Sequence, residues 1–469
     1  MKKVNVFFAL PTLLQVLLGT PPPASAQTTP PAPVSNSAPV PITSCGRVTQ
    51  NVQLANDLVT INSSCLTVGA SGVTIDGAGH RITAATYAVQ WVNFSNVTVK
   101  NIVTDQTLQI YGATAGHNLV TDSTLGLVGI YAGDDNVVQN STLKKLKIYP
   151  VGYDPAQREV ITGNVIAGPL VQAEEKLVEI VSGTDGTLDT DGTYVCADAG
   201  HLITNNQIIG TVVPATSTVE PELFYMRCGR NSTVSGNTIR SGQLAVGILV
   251  RDGADDNLFE NNNVEVGNGN EGALLIQNGS AGYHNPRDNT FLSNVFRADQ
   301  NRALWLQASA TRGNTFLQNL ITSGGGSVET ARVTDGPGVT MLFDHNSFYR
   351  PSQGTLLVFR TLGSGKDTFT NNIFSYPGGS NGVFNFDKLQ SLAAYQGDYN
   401  VFYNSSGPVM FSQYYVDLPH WKYYTGQDTH SVEANPGFMS PQTGDFSLSP
   451  NSVVQGDASD GSNPGVTTP

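Results

Sequence analysis

Charge is scarce in this chain. Of 469 residues only 13% are Asp, Glu, Lys or Arg, and 24 basic residues face 37 acidic ones. A net charge of −13 argues against nucleic acid as a partner, because phosphate backbones are held by clustered Lys and Arg. Cysteine is scarce too. The four present form no CxxC pair and have no His cluster beside them, which argues against zinc. Beyond the N-terminus no apolar run is long enough to cross a bilayer.

At the N-terminus, Lys2 and Lys3 precede an apolar run from Val4 to Leu18, and Ala24-Ser25-Ala26 fits a peptidase site. Residues 1–26 therefore read as a signal peptide. Its removal takes away two positive charges and no acids, leaving −15. The expected location is secreted, periplasmic or cell surface, with no membrane span after cleavage. Residues 27–42 carry Pro, Ser, Thr and Ala without charge and read as an extended linker.

What the chain has in quantity is one recurring phrase. Its clearest copies are Asn257-Leu-Phe-Glu-Asn-Asn262-Asn-Val264, Asn289-Thr-Phe-Leu-Ser-Asn294-Val-Phe296, Asn314-Thr-Phe-Leu-Gln-Asn319-Leu-Ile321 and Asp367-Thr-Phe-Thr-Asn-Asn372-Ile-Phe374. Further copies begin at Asn96, Asn118, Asn136, Glu159, His201, Ser232 and Met341, with starts 18 to 42 residues apart. Recurrence at this spacing marks a repeat architecture. Apolar and polar residues alternate over runs too short for helices, with Gly, Asn and Asp as punctuation, which is a strand pattern. One coil of short strands cannot bury its apolar face alone, but coils stacked at about 4.8 Å share a continuous core. Asn294, Asn319, Asn346 and Asn372 should form a ladder of amides at a tight turn.

On these phrases, residues 43–412 resemble the right-handed parallel β-helix superfamily, the pectate-lyase-like proteins. The resemblance implies an all-β fold: a right-handed parallel β-helix solenoid of about 11–12 coils with N- and C-terminal caps. The scaffold is shared by lyases, hydrolases, epimerases and non-enzymes, so it does not carry function. Gly72-Val-Thr-Ile-Asp76-Gly77-Ala-Gly79-His80 resembles a first-coil motif, and Asp76 and His80 read as turn chemistry. Residues 413–455, with Trp421, Phe438, Phe446 and Leu448, look like a terminal cap in which His420 and His430 are structural. The Gly-, Ser-, Asp- and Pro-rich residues 456–469 read as a disordered tail.

Four cysteines in an exported chain suggest two disulfides. Cys45 and Cys65 flank the N-terminal segment. Cys196 and Cys228 lie five and four residues before consecutive phrases, so they should stack on neighbouring coils. Between the phrases at Glu159 and His201 lies an acidic insertion, in which Asp185, Asp189 and Asp191 offer oxygen ligands to Ca²⁺, without the full spacing of a calcium loop. A solvated acidic loop is the alternative.

The lateral face carries the functional expectation. Alternation places Met226, Ile248, Val250, Ile276 and Leu306 inside, and Arg227, Arg251, Gln277, Gln307, Arg332 and Arg360 outside in a row. Tyr111 and Tyr131 continue the row, with Trp305 beside it. Arginines grip planar carboxylates in two-pronged fashion and aromatic faces support sugar rings, so the row suits an extended anionic polysaccharide. The alternative is that these arginines pair with Asp252, Asp335 and other loop acids. Asp134-Asp135 and Asp255-Asp256 occupy one turn position of the repeat and read as turns, and no polygalacturonase-like or epimerase-like acidic motif is visible. Two functions stay open. One is a lyase cleaving a uronate polysaccharide by β-elimination, with Arg251 as base and Arg227 or Arg332 neutralising the carboxylate, as the resemblance implies. The other is a non-catalytic carbohydrate-binding or cell-surface β-helix. A monomer is expected in either case.

Overall fold

A computed structural model describes residues 38–466 apart from 171–174, 189, 191, 213–220, 244, 270, 278, 281, 308–311, 327–328, 335–339, 353, 360–364, 379–381, 387–388, 410 and 412–416. The expected signal peptide and most of the linker lie outside the described residues, as do Asp189, Asp191 and Arg360.

Each phrase opens with a short strand whose middle residue points inward. Phe259, Phe291, Phe316, Phe343 and Phe369 follow one another ring on ring, with centroids 4.9, 4.8, 4.6 and 4.4 Å apart. All five are fully buried. The turn that follows is held by the expected amide ladder. Asn262 Nδ2 donates to Asn294 Oδ1 at 2.9 Å, Asn294 to Asn319 at 3.0 Å, Asn319 to Asn346 at 3.0 Å and Asn346 to Asn372 at 3.1 Å. The same nitrogen of Asn319 also donates to the Phe291 carbonyl at 2.8 Å, so neither amide hydrogen is wasted in the dry interior. The left-handed residue of the turn is the one before the ladder: Asn261, Ser293, Gln318, His345 and Asn371 have φ between 53° and 57°.

These strands form a first sheet of 15 parallel strands, from Val40–Ile42 to Tyr395–Asp398. The stack exceeds the phrase count because Val40–Ile42, Val52–Leu54 and Thr74–Asp76 precede the first phrase and Tyr395–Asp398 follows the last. After the amide turn the chain enters a second parallel sheet, as in Asn263–Gly269, Val295–Asn301 and Leu320–Ser323. It then enters a third, as in Lys176–Val181, Glu222–Arg227, Val246–Arg251, Leu274–Ile276, Leu304–Leu306 and Ala331–Val333. In the early coils the last two merge. Thr142–Tyr149 pairs through Thr142 and Leu143 with the second sheet and through Leu146 to Ile148 with the third.

Both disulfides form: Cys45–Cys65, with Cα atoms 4.6 Å apart, and Cys196–Cys228, 5.0 Å apart. At the other end the helix Leu418–Thr425 is capped by Asp417 and ends at a left-handed Gly426. It buries Trp421, stacked on Phe386 and Phe411 at 5.7 and 5.0 Å. Asp428 ends the amide ladder by accepting from Asn400 at 2.9 Å. One expectation fails here. The segment from 456 to 466 is packed, not disordered. Val466 is 2% exposed against Leu320, Tyr349 and Phe446, and Gly465 N–H donates to the Asn371 carbonyl at 2.8 Å. The reason is that the second sheet carries apolar residues on its outer side as well, and these need a cover.

Candidate functional site

The third sheet ends where loops carry the chain back to the first, and the candidate residues sit at that end. The inward set is as expected: Met226, Ile248, Val250, Ile276 and Leu306 are at most 1% exposed. The outward residues sort into two columns. One runs Tyr111, Tyr131, Tyr149, Val181, Arg227, Arg251, because Tyr111 is paired with Tyr131, Tyr131 with Tyr149, Val181 with Arg227 and Arg227 with Arg251. Gln277 and Gln307 continue it through backbone bonds to Val250 and Ile276.

Arg332 does not belong to this column. It is paired with Trp305, which is paired with Leu275 in the neighbouring column. Its charge is also engaged. Arg332 and Arg302 both bond the carboxylate of Glu329, the latter at 2.6 Å, and both guanidiniums lie over the Trp305 ring, at 5.4 and 4.5 Å. Burial raises the Glu329 pKa, but the bonds from the two arginines outweigh it and hold the carboxyl below its usual range. Arg332 and Arg302 are only 12% and 8% exposed, so this shared carboxylate lies under cover, which argues against the expected role of Arg332 in neutralising substrate. Of the expected sugar-supporting tyrosines, Tyr131 has Tyr111 on one side and Tyr149 on the other, with ring centroids at 6.1 and 6.0 Å, and Tyr111 at the end of this ladder is 36% exposed.

Arg227 and Arg251 meet at a residue that the sequence reading named only as a rival partner. Asp252 has φ 52° and its side chain is 1% exposed. Arg227 Nε reaches its Oδ2 at 2.7 Å and Arg251 Nε at 3.4 Å. Ser280 joins them: its Oγ accepts from Arg251 at 2.7 Å and donates to Asp252 Oδ2 at 3.1 Å, while its N–H donates to Oδ1. The Arg227 guanidinium lies 4.9 Å over the ring of Tyr283. Two guanidiniums thus share one carboxylate, which leaves one positive charge at a partly open surface: the two side chains are 33% and 26% exposed.

The loop that supplies Ser280 and Tyr283 is anchored from below. Asp255 is buried against His284 at 3.3 Å and Arg287 at 3.5 Å, and accepts from Arg287 N–H at 3.0 Å. Burial pushes its carboxyl up to about 6 despite the neighbouring Arg287 guanidinium and His284 ring. From the side the loop meets the insertion, whose strands Thr184–Leu188 and Tyr194–Cys196 form an antiparallel hairpin. Tyr194 N–H donates to the Gly282 carbonyl at 2.7 Å, and the Cys196–Cys228 bridge ties the hairpin beside Arg227. Apart from the disulfide, none of these loop contacts has a periodic signal in the sequence.

The acid pairs behave as turns. Asp135 and Asp256 have φ 57° and 55° and are paired with Arg158 and Arg230 at 2.9 Å. Of the calcium candidates, the Asp185 side chain, Asp189 and Asp191 lie outside the described residues. Among the described residues no group of three His, Cys, Asp or Glu is placed to hold a metal. Cavities of about 180 and 470 Å³ lie at the C-terminal cap, by Arg297, Tyr349 and Phe446 and by Leu418, Lys422 and Glu433, away from the column.

Residues 181–348 match the family model described as "Right handed beta helix region". No curated protein matches in sequence. One similar solved structure is described as a mannuronic acid specific polysaccharide family 6 lyase enzyme from human gut microbiota. It is 11% identical over 85% of this chain and 86% of that one, and at a TM-score of 0.30 it carries no argument about this protein. The three parallel sheets and the match over residues 181–348 together show a right-handed parallel β-helix fold.

Proposed function

We propose that this is an exported protein that binds an extended, uronate-containing polysaccharide along the lateral column, with Arg227 and Arg251 engaging a sugar carboxylate. One observation carries the reading: two guanidiniums in register share a single buried carboxylate, so positive charge is concentrated at the surface of a chain whose net charge is −13. A planar guanidinium is suited to a carboxylate, and a partly buried one is screened less than a solvated lysine. The enzymatic form of this reading is β-elimination. It requires neutralisation of the carboxylate, which falls to Arg227, and a base for the adjacent carbon-bound proton, which falls to Arg251. The bonds that tie Arg251 to Asp252 and Ser280 favour binding without cleavage, since a base must be free to take up the proton. A calcium site in the insertion stays a proposal resting on Asp185, Asp189 and Asp191, and no step depends on it.

The test is a binding and cleavage screen on alginate, pectate and glycosaminoglycans, followed at the absorbance of unsaturated products. Arg251→Ala should weaken binding of the best ligand at least about tenfold, since a charge-assisted contact contributes on the order of 1.5–3 kcal/mol. Arg332→Ala, whose partner is Glu329, should bind as wild type does. Unsaturated product from the wild type would establish the lyase. Binding without product would establish the non-catalytic form. Equal binding by Arg251→Ala and wild type would reject the site.

A further inference from the structure

The C-terminal cap does not lie flush on the second sheet. Alternation turns Arg297 and Asp299 outward from Val295–Asn301, with the fully buried Ala298 between them. Pairing sets Thr322 of the next coil beside Arg297, and Tyr349 of the coil after beside Thr322. Asp299 is followed by Gly324, where an added Cβ would come within 2.6 Å of the Asp299 carbonyl. The antiparallel strands Phe438–Ser440 and Asp445–Leu448, joined by the turn Pro441–Thr443, roof these three coils. Between floor and roof lies the cavity of about 180 Å³, whose lining includes Arg297, Asp299, Tyr349, Pro351, Gln442 and Phe446.

The polar groups of this cavity are idle. Tyr349 is 5% exposed and its ring packs edge-on against Phe438 and Phe446. Its hydroxyl has no partner among the described residues, and burial, with no bond to offset it, raises the Tyr349 pKa. Buried hydroxyls are ordinarily bonded, so the bond has to come from water or a ligand in the cavity. Among the described residues the Asp299 carboxylate and the Gln442 amide are equally unengaged, and Arg297 reaches Glu265 only at 3.8 Å. Size and charge narrow the occupant. A cavity of about 150 Å³ takes up one six-membered ring, so this one holds a single ring. Arg240, Glu265 and Arg297 follow one another in register with Asp299 beside them, so two cations face two anions and a carboxylate gains no net attraction. A neutral pyranose fits this set: its hydroxyls can accept from Arg297, Tyr349 and Gln442 and donate to Asp299, with its C–H surface toward Pro351 and Phe446.

We infer that the cavity between the second sheet and the C-terminal cap is a binding site for one uncharged pyranose unit of a glycan, separate from the arginine column and independent of what that column binds. The probes are the methyl glycosides of glucose, mannose and galactose, with methyl galacturonoside as the charged control, titrated into the full chain and followed by saturation-transfer NMR. At least one neutral glycoside should bind, with a dissociation constant on the order of 1 mM for a ligand of this size. It should bind at least about fivefold more tightly than the uronoside. Tyr349→Phe removes only the idle hydroxyl and Asp299→Asn only the charge of the acceptor. Each should weaken binding about five- to tenfold at an unchanged melting temperature, because neither group holds the fold together. Arg251→Ala should bind the glycoside as wild type does. Absence of binding by all three neutral glycosides would mean that the cavity holds only water and would overturn the inference. So would equal binding of the uronoside, wild-type binding by both Tyr349→Phe and Asp299→Asn, or a loss in Arg251→Ala, and none of these results touches the reading of the arginine column.

Discussion

Asp252→Asn separates charge from shape at the candidate site. Asparagine has the same outline as aspartate and tolerates the left-handed backbone that residue 252 adopts at φ 52°, so the turn is undisturbed. Its oxygen can still accept from Ser280 N–H. What changes is the group facing Arg227 Nε at 2.7 Å and Ser280 Oγ at 3.1 Å, where a donor would replace an acceptor. The side chain is 1% exposed, so water cannot compensate. Breaking a buried ion pair from one side costs about 3–5 kcal/mol, and the lower end applies because the two arginines are themselves a third or a quarter exposed. Arg251→Ala leaves Asp252 with Arg227 and should cost only about 1 kcal/mol. The order of stability is therefore wild type, Arg251→Ala, Asp252→Asn, measured by urea unfolding. The order of affinity for the anionic ligand differs. Arg251→Ala falls at least about tenfold, whereas Asp252→Asn, which leaves both guanidiniums unneutralised, holds or gains. An Asp252→Asn protein within about 0.5 kcal/mol of wild type, or one that loses ligand as Arg251→Ala does, would refute the account of a shared, buried carboxylate.

Two further outcomes test the scaffold. His201 is fully buried and burial pushes its pKa down to about 3, so below pH 6.5 the unfolded chain takes up a proton that the folded chain refuses. Stability from this residue is present above pH 6.5 and is lost as pH falls toward 3; His201→Asn should remove that slope, by a few kcal/mol at pH 4, in urea titrations compared with wild type at pH 7 and 4. Equal slopes in the two proteins would contradict it. Deleting residues 456–469 uncovers the outer side of the second sheet where Val466 meets Leu320 and Tyr349, and should lower unfolding stability by about 2–4 kcal/mol; an unchanged urea midpoint would mean that this contact contributes nothing.

The amino-acid sequence determined by itself whatever follows a period. Alternation decided that Met226, Ile248, Val250, Ile276 and Leu306 face inward, and recurrence decided that Asn294, Asn319, Asn346 and Asn372 bond in a ladder and that Cys196 meets Cys228. These features repeat because each coil solves the same burial problem, so a local pattern is enough to read them. Register was legible only in part. Arg332 precedes the inward Val333 as Trp305 precedes the inward Leu306, whereas Arg251 and Gln307 follow their inward neighbours; a two-residue step keeps the face and changes the column. Composition misled at the tail, where Gly- and Ser-rich chain packs because outer apolar residues wait beneath it. Only the tertiary structure decided the site. Asp252, Ser280, Tyr283, His284 and Tyr194 come from two loops and a hairpin strand with no common spacing, and they meet because a disulfide-tethered hairpin and a folded-back loop converge on the ends of two strands.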